Sequence, residues 1–210
     1  ITNSNNTTVH ANFLGAGADN ATVVGNRGNG LLVSGTSANT QVGGVIPLGN
    51  VISGNDGNGI ELRDTASGFV SFNTFTGLFA FSTAAPNKKN GMLITSSGGN
   101  NLIRTCIVSG NLGNGIEISG NASGVQITET SVGTNTAISA ALPNGKSGIL
   151  IGGRAHKIAI GGFQPSVEPE TTVSANPRYG IEIVDNASDI SIFHTYVGTD
   201  IRANANLGNR

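Results

Sequence analysis

The sequence has no tryptophan, one cysteine, one methionine and, at 11% of its 210 residues, few charged side chains. A single thiol, Cys106, excludes an intramolecular disulfide and a thiolate metal cluster, and on an apolar strand it reads as an inert core residue. With a formal net charge of −1 there is no basic excess to hold a polyphosphate, so no nucleic-acid partner is expected. No apolar run approaches the roughly 20 residues that span a bilayer, and residues 1–12 lack the basic and apolar regions of a signal peptide. Helical periodicity is missing too. The chain has to be built from short strands and turns.

What is present is repetition. The stretch Asn111-Leu-Gly-Asn-Gly-Ile-Glu-Ile118, Ser119-Gly-Asn-Ala-Ser-Gly-Val-Gln-Ile127, Thr130-Ser-Val132 reads as three brief strands, each bounded by Gly, Asn or Ser. Asn58-Gly-Ile-Glu-Leu62, Asn114-Gly-Ile-Glu-Ile118 and Tyr179-Gly-Ile-Glu-Ile183 form one series. Asn29-Gly-Leu-Leu-Val33, Asn90-Gly-Met-Leu-Ile94 and Ser147-Gly-Ile-Leu-Ile151 form a second that interleaves with it. The aligned glycines, from Gly30 to Gly180, are 29, 32, 24, 33 and 32 residues apart. A turn of that length cannot close a core alone, whereas stacked turns can. The expected architecture is all-β: a right-handed parallel β-helix of about seven coils and three short parallel sheets, one domain over residues 1–210, with successive coils about 4.8 Å apart.

Two features modulate the repeat. Four copies of a surface loop run from Gly15, Gly77, Gly133 and Gly198 to Asn26, Asn87, Asn144 and Asn209, so the unit is a pair of unlike coils about 60 residues long. The copy from Phe69 to Phe81 holds five of the eight phenylalanines and is expected to slip by one residue, because Phe69, Val70 and Phe72 cannot all point inward. It is read as a fatter core or as an aromatic patch for sugar or protein. Pro165 and Pro169 mark a variable loop.

The recurring Asn-Gly-Ile-Glu-Ile, Val-Ser-Gly-Asn, Val-Gly-Thr-Asn and Ala-Leu-Pro-Asn text resembles the right-handed parallel β-helix repeat proteins of the pectate-lyase-like superfamily, many of them secreted bacterial proteins, and does so over essentially all 210 residues. The resemblance implies the fold and an extracellular or cell-surface location. It says little of activity, since this superfamily hosts lyases, hydrolases, esterases, epimerases, phage tailspikes and surface proteins. Its lyases combine a basic residue, for which Arg63, Arg104, Arg154, Arg178 and Lys157 are candidates, with an Asp cluster for Ca²⁺ that this chain lacks. Nor does it carry the Asp-Pro-His-Asp text of alginate epimerases or the Asn-Thr-Asp, Asp-Asp and Gly-His-Gly motifs of polygalacturonases.

The candidate residues follow from the strand period. With the isoleucines inward, Glu61, Glu117 and Glu182 point outward two coils apart, about 10 Å from one another, alternating with Leu32, Leu93 and Leu150. Paired carboxylates near that separation serve glycoside hydrolysis, which makes these glutamates the catalytic candidates, while the same spacing follows from the repeat alone. Asn55, Asn111 and Asn176 occupy corresponding corners and are expected to form a structural ladder, as the resemblance also implies. His10, His156 and His194 show no metal-ligand spacing, and the loop residues Asp19, Asn135 and Asp200 supply too few oxygens for a Ca²⁺ site, so neither metal nor cofactor is expected.

The expected role is therefore a non-catalytic structural or adhesive module. Its text starts and stops inside the repeat, which leads to the expectation that further coils of a parent chain, or copies stacked head to tail, are its partners. The alternative is a polysaccharide lyase, hydrolase or binding module, with its groove near the three glutamates and the Phe79 and Phe81 loop.

Overall fold

A computed structural model describes residues 1–79, 83–162 and 171–210; Phe81 and the proline-bearing loop at 163–170 fall outside the described residues. The chain is a right-handed parallel β-helix with no α-helix among the described residues. The first sheet contains Leu31–Val33, Ile60–Leu62, Met92–Ile94, Ile116–Ile118, Ile149–Ile151 and Ile181–Ile183, with Thr2 bridged to Ser34 below them. The second sheet has seven strands, from Thr8–Val9 through Gln41–Gly43, Val70–Phe72, Asn101–Arg104, Ser123–Thr128 and His156–Ile160 to Ser188–Ile192. The third also has seven, from Phe13–Leu14 through Asn50–Ile52, Thr74–Thr76, Ile107–Val108, Ser131–Val132 and Thr171–Val173 to Thr195–Val197. We number the coils 1 to 7 by their third-sheet strand.

Each strand is brief, two to six residues, because the coil must then turn a corner. Single left-handed residues make the tight bend between the second and third sheets, at Asn73, Thr105 and Glu129. Alternation along each strand sends every second side chain inward, so Ile60, Met92, Ile116 and Ile149 stack in one column and Ile52, Val108, Val132 and Val173 in another, all buried. At coil 7 no described residue stacks on the outer face of these columns. Ile183, Ile192 and Val197 are 47%, 44% and 49% exposed, although their stack-mates Ile151, Ile160 and Val173 are fully covered.

The phenylalanine-rich copy keeps its register, contrary to the expected slip. Gln41, Val70 and Leu102 pair in line, as do Val42, Ser71 and Ile103. Phe69 takes one inward place and is buried, and Val70 and Phe72 face outward. The large ring is accommodated because the next inward residue is small: Ser71, whose Oγ lies 3.4 Å from the Cys106 Sγ. Burial pushes the Cys106 thiol above its ordinary pKa, consistent with an inert core position.

Candidate functional site

The corner between the third and first sheets is the most regular polar feature of the molecule. In each of coils 1 to 6 it is a four-residue turn whose first member is an asparagine: Asn26-Arg-Gly-Asn29, Asn55-Asp-Gly-Asn58, Asn87-Lys-Lys-Asn90, Asn111-Leu-Gly-Asn114, Asn144-Gly-Lys-Ser147 and Asn176-Pro-Arg-Tyr179. The first members form a ladder, each Nδ2 donating to the next Oδ1: Asn26 to Asn55 at 2.7 Å, then Asn87 at 2.8 Å, Asn111 at 2.9 Å, Asn144 at 2.9 Å, Asn176 at 3.1 Å and Asn209 at 3.2 Å. The same carboxamides accept backbone N–H groups and donate to inward carbonyls, as Asn144 does to Val108 O at 3.0 Å. They thereby satisfy buried turn backbone that the sheets cannot reach.

Asn55, Asn111 and Asn176 thus share one stack with Asn26, Asn87, Asn144 and Asn209, which the sequence reading assigns to a separate loop. The loops of coils 1, 3, 5 and 7 are insertions just before the ladder residue, so counting from the preceding glycine hides the equivalence. Counting back from the following Gly-Ile or Gly-Leu would have revealed it.

A second ladder closes the other side of the turn. The Oδ1 atoms of Asn29, Asn58, Asn90 and Asn114 accept the backbone N–H of Asn58 at 2.8 Å, Asn90 at 3.1 Å, Asn114 at 2.8 Å and Ser147 at 3.1 Å. Their Nδ2 groups reach the outward glutamates. Asn29 and Asn58 donate to Glu61 at 2.8 and 3.1 Å, Asn90 and Asn114 both to Glu117 at 3.0 Å, and the Ser147 hydroxyl to Glu182. Arg63 lies 3.9 Å from Glu61 and Arg178 3.0 Å from Glu182. Register places Leu93 between Glu61 and Glu117, and Leu150 between Glu117 and Glu182. Each glutamate is a partly buried acceptor stitched into a ladder.

The turns hold a pair of residues outward beside the ladders, and in coils 1, 3, 5 and 6 that pair includes a basic side chain. Arg27, Lys88, Lys89, Lys146, Arg178 and Arg210 are exposed there, six of the chain's 11 lysines and arginines. One acid, Asp56, shares the row and pairs with Lys88 at 2.8 Å. Arg27, Lys89 and Lys146 form no ion pair among the described residues. Arg27, the Lys88 and Lys89 pair, Lys146 and Arg210 all belong to loop-bearing coils, so charge recurs every two coils, about 10 Å.

The inserted loops stand beside this row. Gly15 O accepts Gly25 N at 2.9 Å, Gly77 O accepts Ala85 N at 2.8 Å, Gly133 O accepts Leu142 N at 2.9 Å and Gly198 O accepts Leu207 N at 3.1 Å, closing four similar hairpins. A groove of about 400 Å³ opens between the last two, lined by Ala141, Pro143, Pro177, Leu207 and Arg210. Asp19, Asn135 and Asp200 spend their side-chain oxygens inside the loops: Asp19 accepts Thr22 N at 2.9 Å and Asp200 accepts Asn204 N at 2.7 Å. The Thr22 hydroxyl and backbone bonds lower the pKa of Asp19, and the Ala205 N–H chiefly lowers that of Asp200.

Other sequence candidates are scattered. His156 meets Ser123 Oγ at 3.2 Å, and His10 and His194 lie elsewhere. Arg104 binds Glu129 with two bonds at 2.9 and 3.1 Å and lies over the Phe72 ring. No group of three or more His, Cys, Asp or Glu able to hold a metal occurs among the described residues. None of their helices is long and apolar enough to cross a membrane.

The fold and corner define the class, a parallel β-helix with asparagine-laddered turns. No family model matches the chain, and no curated protein does. Solved structures do. A periplasmic alginate epimerase, AlgG, in a double-mutant and a single-mutant form, superposes with a TM-score of 0.57 at 16% identity, covering 80% of this chain and 36% of that one. The mannuronan C-5 epimerase AlgE4 A-module of Azotobacter vinelandii aligns at a TM-score of 0.43 and 16% identity over 80% of this chain and 51% of its own. The chain thus spans about a third of the length of AlgG, and the likeness is one of fold.

Proposed function

We propose that this chain is a non-catalytic, extracellular or cell-surface β-helix module that binds an acidic polysaccharide along its laddered corner. The observation that carries this reading is the row of exposed cations along the laddered corner, five of the six at a two-coil period. A rigid scaffold has already lost the conformational freedom that binding would otherwise cost, so regularly spaced charge meets an extended polyanion with little further ordering. The glutamates fit a structural part, because their carboxylates are occupied by amide and hydroxyl donors. Sharing a fold with an enzyme named for alginate is compatible with a polyuronate ligand.

The test is calorimetry with a polyuronate and a neutral glucan of equal length at low and at moderate salt. Polyuronate binding that weakens as salt rises, and falls at least about tenfold in the Lys88→Gln, Lys89→Gln, Lys146→Gln variant, supports the reading. Equal binding of the neutral glucan, or tighter binding of duplex DNA, overturns it. Release of unsaturated or reducing ends that is lost in Glu117→Gln would make the protein an enzyme instead.

A further inference from the structure

The bend between the second and third sheets takes one or two residues in coils 3, 4, 5 and 7, and six in coil 2, at residues 44–49. This insertion is held at both ends. Leu48 O accepts Ala11 N at 3.2 Å, and Gly44 O accepts Asn73 Nδ2 at 3.2 Å. Leu48 N in turn donates to Val45 O at 2.8 Å, which closes the insertion on itself. Val45 and Ile46 are 66% and 86% exposed, so the segment adds nothing to the core and its place on the surface calls for another reason.

The insertion walls one side of a cleft on the outer face of the third sheet. The floor is Phe13, Val51 and Phe75, which the strand period sends outward and the pairing aligns across coils 1, 2 and 3. Asn20, in the hairpin that follows the Phe13–Leu14 strand, lines it from the other end of the strands. The cleft encloses about 300 Å³, and no described residue lining it carries a charge. Phe13 and Phe75 stand two strand spacings apart, about 10 Å. That gap admits one six-membered ring in contact with both, since stacked ring centroids lie roughly 4.5–7 Å apart. The Oδ1 of Asn20 is buried with no hydrogen-bond partner. An acceptor left unmet in this way costs stability unless a bound group donates to it.

We propose that this cleft binds one neutral pyranose ring whose hydroxyls are equatorial. Such a ring shows only C–H bonds on its two faces, which aromatic rings attract, and carries its hydroxyls around the edge, where one donates to Asn20 Oδ1. An uncharged lining offers no partner to a uronate carboxylate, so the neutral sugar is favoured over the charged one. A purely apolar ligand would leave Asn20 unmet. The central strand, Asn50–Ile52, is paired on both sides and leaves no edge for a peptide to extend. The cleft is apart from the cationic corner, and the proposal does not rest on the polyanion reading: a single ring of about a dozen heavy atoms binds only in the millimolar range, far below a multivalent charged contact.

The test titrates methyl β-glucopyranoside into the isotope-labelled chain and follows the Asn20 and Asn73 side-chain amides and the Phe13 and Phe75 ring signals by NMR. Saturable shifts at those residues are expected, with a Kd of about 1–10 mM. They should be equal at low and moderate salt and persist in the Lys88→Gln, Lys89→Gln, Lys146→Gln variant, which separates this site from the cationic corner. Phe13→Ala truncates a ring that is 42% exposed, and Asn20→Gly removes the amide while leaving its φ of 49° unstrained. Each should weaken binding at least about fivefold, with amide shifts in coils 4 to 6 unchanged as the check that the fold is intact. No shift at tens of millimolar pyranoside, binding unaltered in either cleft variant, binding lost in the lysine variant, or saturation by toluene and not by the pyranoside overturns the proposal.

Discussion

Coils 5 and 7 are written in nearly the same letters and live in different surroundings. Ile118, Ile127 and Val132 of the inner coil are fully buried, and Ile183, Ile192 and Val197, two coils on, are about half exposed. Parallel pairing to the coil below and hairpin closure match, so the difference lies in what stacks above. Burial in this molecule is a property of the interface between coils, as expected for a quasi-one-dimensional architecture.

The comparison is broken or sharpened first by truncating the same side chain in both places. Ile127→Ala should cost about 2–5 kcal/mol in chemical denaturation, because a cavity opens between packed coils. Ile192→Ala should cost under about 1 kcal/mol, since water already reaches that side chain. Equal costs would mean that coil 7 is covered in solution.

The ladders give the next largest effect. Asn144→Ala orphans the Asn111 backbone N–H and takes one partner each from the Asn111 side chain and the Val108 carbonyl in a fully buried stack, for a loss of roughly 2–3 kcal/mol. Asn209→Ala should cost about half as much, because Asn209 is only partly buried and water can replace it as the acceptor for Asn176.

A stabilising change comes third. Thr76 sits in the apolar column between Ile52 and Val108, with its hydroxyl buried and unpartnered. Thr76→Val should raise stability by about 1 kcal/mol, because it removes an unmet polar group at nearly constant volume.

The smallest effect is electrostatic. Hydrogen bonds from Arg104 hold Glu129 below its ordinary pKa. A carboxylate depressed in the folded state stabilises fully above its unfolded value, and that contribution is lost as pH falls through the folded one. The pair is half exposed, so Glu129→Gln should change stability by a few tenths of a kcal/mol at neutral pH and flatten the pH dependence only in the acid range.

Sequence period alone revealed the coils and the inward columns, because Gly-Ile-Glu-Ile text both alternates and recurs. The register through Phe69 was not legible: compensation between Phe69 and Ser71 is a volume relation across neighbouring coils, and Cys106 takes part in it from 35 residues away. The cationic corner was hidden by the near-zero net charge, which averages a basic row against acids placed elsewhere. Neither Arg27 nor Lys146 signals anything until Asn26 and Asn144 are seen to be one ladder.

The most direct check of stacking as the source of stability is residue-resolved amide hydrogen exchange under native conditions. Protection should be greatest in the strands around Ile118, Ile127 and Val132 and least, among strands, at Ile183, Ile192 and Val197. Uniform protection along the axis, or slower exchange in coil 7 than in coil 5, would contradict the account.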